Sequence, residues 1–190
     1  MIPDHSGGRC RRYMMVNPET KKTKAMTVQV KICGITTEAD YNICRAAGAS
    51  WTGMVYYPGS PRHLTLDQLA RLATCDSGAD SPQRVLLTVD MTGDALAPLI
   101  AAAKPDMLQL HGRETPAEVA AIKQHFKLPV IKAIPIETAD DLGQCAAWHG
   151  LADWLLFDAK TSQGQQPGGT GHSFDWTVLA GYRGPTAWML

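Results

Sequence analysis

The sequence predicts an α/β chain folded as a (β/α)8 barrel, with its strands running parallel. Three observations lead there. Short apolar strand patterns alternate with helical patterns at roughly one pair per two dozen residues, a rhythm that calls for right-handed crossovers and a parallel sheet. No GxGxxG follows the first strand and no GxxxxGK[ST] run occurs, which disfavours an open, doubly wound nucleotide-binding sheet. Polar residues recur at the C-terminal ends of several strands, the rim where a barrel gathers its chemistry.

The elements follow in order. "VQVKIC" (28–33) reads as the first strand. "TTEADYNICRAAG" (36–48) reads as a helix, with Thr36 or Thr37 as cap, Glu38 and Asp40 in the first turn and Gly48 as the stop. "SWTGMVYY" (50–57) is the second strand. "TLDQLARLATC" (65–75) places Leu66, Leu69, Leu72 and Ala73 on one helical face. "RVLLTVD" (84–90), "DMLQLH" (106–111), "LPVIKAI" (128–134), "DWLLFDA" (153–159) and "PTAWML" (185–190) are further strands. The helices between them are 94–104, 116–126, 139–149 and 174–182, for seven strands and six helices in all.

The chain has 190 residues, 45% of them hydrophobic, which suits one domain with a sizeable core. Residues 26–190 form the expected partial barrel domain, and 1–25 a polar, disordered leader with six Lys/Arg against two acids and no apolar signal-peptide region. The formal net charge of zero offers no field for nucleic acid or an anionic membrane, so neither is an expected partner. No stretch approaches 18 apolar residues. Five cysteines without a CxxC fit a reduced, cytoplasmic protein better than a disulfide framework or a zinc site.

Strand alternation sorts the candidate site residues. In the first strand Val28, Val30 and Ile32 share the face expected to meet the helices, and Gln29, Lys31 and Cys33 the face expected to point into the barrel. Met107, Gln109 and His111, then Val130, Lys132 and Ile134, then Trp154, Leu156 and Asp158 are the matching sets taken for the lumen. Cys33, His111 and Asp158 then end their strands at one rim. Taken singly, a cysteine is more often a small buried apolar residue, and an aspartate after a strand is as often a loop cap. Lys31 and Lys132 are expected to be buried with acidic or carbonyl partners, or to support a thiolate at Cys33. Arg62, in the loop "YYPGSPRHL", suits bidentate contact with a carboxylate or phosphate, against the plainer reading of a solvated loop arginine. "TSQGQQPGGTGHSFDW" (161–176) is a glycine-rich loop whose amides can hold an anion or form a lid.

"VKICGIT", "YYPGSPRHL", "LQLHG" followed by Glu114, "VIKAI", "LLFDA" and "GGTGHSFDW" together resemble the phosphoribosylanthranilate isomerase family of tryptophan biosynthesis, in its order and at about its spacing, from about residue 28 onward. The resemblance implies a TIM barrel of the phosphate-binding type. It also implies an aldose–ketose isomerase that converts N-(5-phosphoribosyl)anthranilate to 1-(2-carboxyphenylamino)-1-deoxyribulose 5-phosphate by an Amadori rearrangement, with no metal or organic cofactor. By the same resemblance Cys33 is the general base and Asp158 the general acid. Arg62 holds the anthranilate carboxylate, Gln109 and His111 line the site, and Gly168 and Gly169 belong to the substrate-binding loop. The implied partner is the phosphosugar–anthranilate substrate, with a homodimer or association with other tryptophan-pathway enzymes left open.

Two features depart from the family pattern. Asp90 stands where the family's third strand ends in an asparagine. The sequence ends at "PTAWML", in the seventh strand, whereas the family's phosphate site is built by the loops after strands seven and eight. The expectation is therefore an incomplete barrel with two unpaired strand edges and unnamed phosphate ligands. A truncated, inactive relative acting as a pseudoenzyme or interaction protein is the alternative. Other phosphosugar barrels, such as histidine-pathway isomerases or pentose-phosphate epimerases, use carboxylate pairs or metal-bound histidines, and the cysteine of "KICG" argues against them.

Overall fold

The structure is a computed structural model and describes residues 28–75, 78–160 and 175–190. The leader 1–25 and the glycine-rich segment with Gly168 and Gly169 lie outside the described residues.

Among the described residues, seven strands form one sheet in sequence order: β1 (Lys31–Cys33), β2 (Trp51–Tyr56), β3 (Gln83–Thr88), β4 (Met107–Leu110), β5 (Val130–Ile136), β6 (Trp154–Ala159) and β7 (Ala187–Met189). Every neighbouring pair is parallel. The sheet curls. Trp51 of β2 and Trp154 of β6 meet edge to face with ring centroids 5.2 Å apart, yet four strand spacings in a flat sheet would separate them by about 19 Å. Partial-barrel closure brings them together, and Val85, Met107 and Ile131 complete the cluster that fills the bottom of the interior.

Helices α1 (Glu38–Ala46), α2 (Leu66–Leu72), α3 (Gly93–Ala103) and α4 (Pro116–Phe126) cross between the first five strands. Thr37, Thr65 and Thr115 start α1, α2 and α4 through reciprocal capping boxes with Asp40, Gln68 and Glu118. Each such cap is worth about 1 kcal/mol. The helices expected at 139–149 and 174–182 are 3-10 helices, Ala139–Trp148 and Trp176–Gly181. The main core lies between sheet and helices, with Tyr41, Leu69, Leu72, Leu86, Leu96, Leu108 and Phe157 at its centre.

Three expectations about faces need correction or completion. On β5, Ile131 faces the interior and Val130, Lys132 and Ile134 face the helices, the reverse of the expected phase. Both faces of "VIKAIPI" are apolar, so alternation alone left the phase open, and Lys132 was misleading because its ammonium is satisfied on the helix side. Leu66 is 43% exposed although it shares a helical face with buried Leu69 and Leu72; as the first residue of α2 it stands ahead of the turn that packs on the sheet. The first strand is shorter than expected, and its Lys31 and Cys33 face the lumen as expected, but Ile32 on its other face, and Val30 and Val28 ahead of it, are 42%, 46% and 88% exposed. β1 is an end strand of the sheet, which leaves that row open.

Candidate active site

A cavity of about 180 Å³ opens at the C-terminal ends of the strands. Cys33, Arg62, Gln109, His111 and Asp158 all line it, together with Lys31. Five residues from β1, the β2 loop, the end of β4 and β6 thus line one cavity.

The end of β1 is built around two glycines. Gly34 has φ +84°, and a side-chain carbon there would run into the Arg62 guanidinium. Arg62 lies across this bare backbone and donates from Nη1 to the Cys33 carbonyl at 3.1 Å. Its own amide donates to Ser60 Oγ at 3.1 Å, so the "PGSPR" turn fixes the arginine and it is no freely solvated loop residue. Gly53 pairs with Cys33 in register. A Cβ on Gly53 would lie 2.7 Å from Cys33 Sγ and 3.1 Å from Lys31 Nζ. The missing side chain is therefore what lets thiol and ammonium share one small volume. Gly53 was not singled out in the sequence; the cross-strand register was the signal that finds it.

On the opposite side, the Gln109 amide nitrogen donates to His111 Nδ1 at 2.8 Å, and His111 Nε2 faces Asp158 Oδ2 at 3.0 Å. With Nδ1 accepting, the ring proton sits on Nε2 and points at the carboxylate. The other carboxylate oxygen, Oδ1, accepts from the Ala159 amide at 3.0 Å. His111 is 9% and Asp158 31% exposed by side chain, so the pair stands at the cavity wall with the carboxylate turned to the opening. Gln109 Oε1 is buried and has no protein partner.

The remaining described cysteines behave as the plainer reading of a cysteine predicts. Burial pushes the thiols of Cys44, Cys75 and Cys145 up, with the charges of Asp40 and Glu38 adding to the effect at Cys44 and Cys75. None of the three lines the cavity.

Lys132 does not reach Cys33. Its Nζ donates to Glu114 Oε2 at 2.9 Å and to the carbonyls of Gly112 at 2.7 Å and Leu110 at 3.3 Å, with the Trp148 ring 5.4 Å away. Asp90, the departure at the end of β3, has φ +49° and sends its amide to Glu114 Oε1 at 3.0 Å, while its Oδ1 accepts from the Arg113 amide. It ties the β3 end to the β4 loop and does not line the cavity.

Comparison with known proteins identifies the family. The family model for N-(5'-phosphoribosyl)anthranilate (PRA) isomerase matches residues 30–188. N-(5'-phosphoribosyl)anthranilate isomerase of Rhodopseudomonas palustris (strain BisA53) is 48% identical over 155 residues, covering 81% of this chain and 70% of the relative. That of Brucella canis is 42% identical over 166 residues, covering 87% and 74%. Among solved structures, phosphoribosyl anthranilate isomerase from Thermotoga maritima superimposes with a TM-score of 0.70 at 27% identity, over 80% of this chain and 70% of that one. The Thermus thermophilus enzyme gives 0.67 at 29% identity, over 81% and 72%. The chain belongs to the N-(5'-phosphoribosyl)anthranilate isomerase family.

Proposed function

We propose that this chain catalyses the Amadori rearrangement of N-(5-phosphoribosyl)anthranilate to 1-(2-carboxyphenylamino)-1-deoxyribulose 5-phosphate, with Cys33 as general base and Asp158 as general acid. The observation that carries this reading is that a thiol and a carboxylic acid from two strand ends and a guanidinium from the loop after β2 line one cavity. Asp158 gives its proton to the ribose ring oxygen as the C1–O bond breaks, and the anilino nitrogen's lone pair forms the iminium. The iminium acidifies the C2 proton, so a thiolate of moderate basicity suffices to take it. The electrons of that C–H bond neutralise the iminium, leaving an enolamine that becomes the ketone by gaining a proton at C1 and losing one from the C2 hydroxyl.

The acid must be loaded with a proton first. Asp158 accepts from both His111 and Ala159, the arrangement of a carboxylate. Reversal of the Gln109 amide presents Oε1 to a ring proton on Nδ1, and Nε2 then accepts from a protonated Asp158 at the same heavy-atom distances. Because Oε1 has no partner now, the reversal exchanges one hydrogen bond with His111 for another and loses no further bond to protein. Arg62 uses one N–H on the Cys33 carbonyl and turns the rest of its fork to the anthranilate carboxylate.

No described helix is long and apolar enough to cross a membrane. A cytoplasmic protein and a homodimer complete the proposal; one Thermotoga maritima relative is described as dimeric. The fluorescence of the anthranilate substrate gives the test. Its first-order loss on adding the chain, abolished by Cys33→Ala, is expected; full activity in Cys33→Ala overturns the assignment of the base.

A further inference from the structure

We propose that Lys132 and Glu114, a buried ion pair behind the sheet, are positioning residues for His111; the catalytic part of the claim rests on the function proposed above. Lys132 Nζ donates to the carbonyls of Leu110 and Gly112, the residues on either side of His111. The same ammonium pairs with Glu114 Oε2 at 2.9 Å, and both side chains are 3% exposed. Glu114 closes the grip from below, accepting the Gly112 amide at 3.0 Å on Oε2 and the Asp90 amide at 3.0 Å on Oε1. The His111 amide itself donates to the Thr88 carbonyl at 2.9 Å. The peptide units around His111 are therefore held on the helix side by one cation and one anion while its ring faces the cavity.

The placement has a physical consequence. β4 ends at Leu110, so His111 stands one residue beyond the strand. Its only ladder-like bond there is the one to Thr88, and strand pairing with β5 stops at Leu110–Lys132. The ladder with β5 ends at Leu110, so past it the ammonium's contact with the Gly112 carbonyl carries the tie to β5. The imidazole must hold both Gln109 at 2.8 Å and Asp158 at 3.0 Å. A shift of its backbone by a fraction of an ångström breaks one of these contacts.

A buried ion pair is weak evidence for stability in itself, since removing both charges together is often neutral while removing one is strongly destabilising. That asymmetry supplies the test. Lys132→Met strands the Glu114 carboxylate and is expected to lower Tm. Lys132→Met combined with Glu114→Gln leaves no buried unpaired charge and keeps an acceptor for the Asp90 and Gly112 amides. The double variant is expected to regain most of the lost Tm, yet to show kcat lowered about 10- to 100-fold with KM little changed, the scale expected of a small misplacement. Its His111 ring nitrogen resonances, read in 15N-histidine-labelled protein, are expected to move away from the single-tautomer pattern of the wild type. A double variant with wild-type kcat and unmoved His111 resonances overturns the proposal. Glu114→Asp, which keeps both charges but withdraws the carboxylate by one methylene, provides a second route, with a smaller change in the same two readouts expected and none overturning the proposal. The resonance measurement decides whether the pair positions His111 even where the wild-type chain turns over no substrate, a result that would refute the proposed function instead.

Discussion

His111 Nε2 lies 3.0 Å from Asp158 Oδ2, joining the end of β4 to the end of β6 across the strand between them. The two residues are 47 positions apart in the chain. Asp158→Asn keeps the shape but removes the acid, and an amide nitrogen in place of Oδ2 meets the His111 N–H. Turnover is expected to fall by about two to four orders of magnitude, the span typical of a lost general acid or base. Steady-state kinetics by substrate fluorescence check this, with circular dichroism confirming that the fold is kept.

Alkylation should discriminate among the described thiols. Cys33 lines the open cavity, whereas Cys44 and Cys145 are buried with their thiols pushed up by desolvation. Iodoacetamide is expected to label Cys33 well before Cys44 or Cys145, and bound product is expected to protect it. Peptide mass spectrometry at timed quenches measures the order; earlier labelling of Cys145 would contradict it.

Gly53→Ala is the sharpest probe of the Cys33 side. The added methyl would sit 2.7 Å from Sγ and 3.1 Å from the Cys33 Cα and from Lys31 Nζ. The thiol must rotate away or the strands must part. A drop in kcat of about tenfold or more is expected from displaced reacting groups, with a lower urea midpoint from overpacking.

Lys127 caps α4 in the left-handed region at φ +56°, its amide donating to the Lys123 carbonyl at 3.0 Å. A glycine tolerates that conformation without a Cβ penalty. Lys127→Gly is expected to stabilise by about 0.5–1 kcal/mol, the larger entropy of the unfolded glycine chain offsetting part of the gain. A raised urea midpoint at unchanged slope is the signature.

The capping carboxylates predict a direction for acid sensitivity. Hydrogen bonds from the Thr115 amide and hydroxyl hold Glu118 below its ordinary value of 4.5. A depressed carboxyl adds stability that is fully present above the unfolded value and is lost as pH falls through the folded one. Glu118→Gln should therefore cost stability at neutral pH, and its difference from wild type should shrink below about pH 4.5 and vanish in stronger acid. Denaturation midpoints measured from pH 7 to pH 3 follow it; a difference that grows in acid would contradict the assignment.

Much of the molecule was legible in the sequence because its information is local. Thr37 announces its helix by a capping box that spans three residues; Thr65 and Thr115 cap theirs in the same way, though neither was singled out in the sequence. Gln109 on β4 with His111 just past its end, and Leu156 and Asp158 on β6, reveal their face by alternation against apolar neighbours. β5 resisted the same treatment because both its faces are apolar, so its polar residue, Lys132, suggested the wrong side.

The sequence by itself determined which strands and helices form, their order, and that a thiol, an acid and a histidine end their strands at one rim. Those follow from periodicity, capping and alternation, all short-range in the chain. Only the tertiary structure decided which groups touch. The curl that brings Trp51 against Trp154 and the bare Gly53 under Cys33 depend on distances between strands far apart in sequence. So does the buried Lys132–Glu114 pair, whose cost in desolvation is met only when carbonyls and amides of the β4 loop close around it.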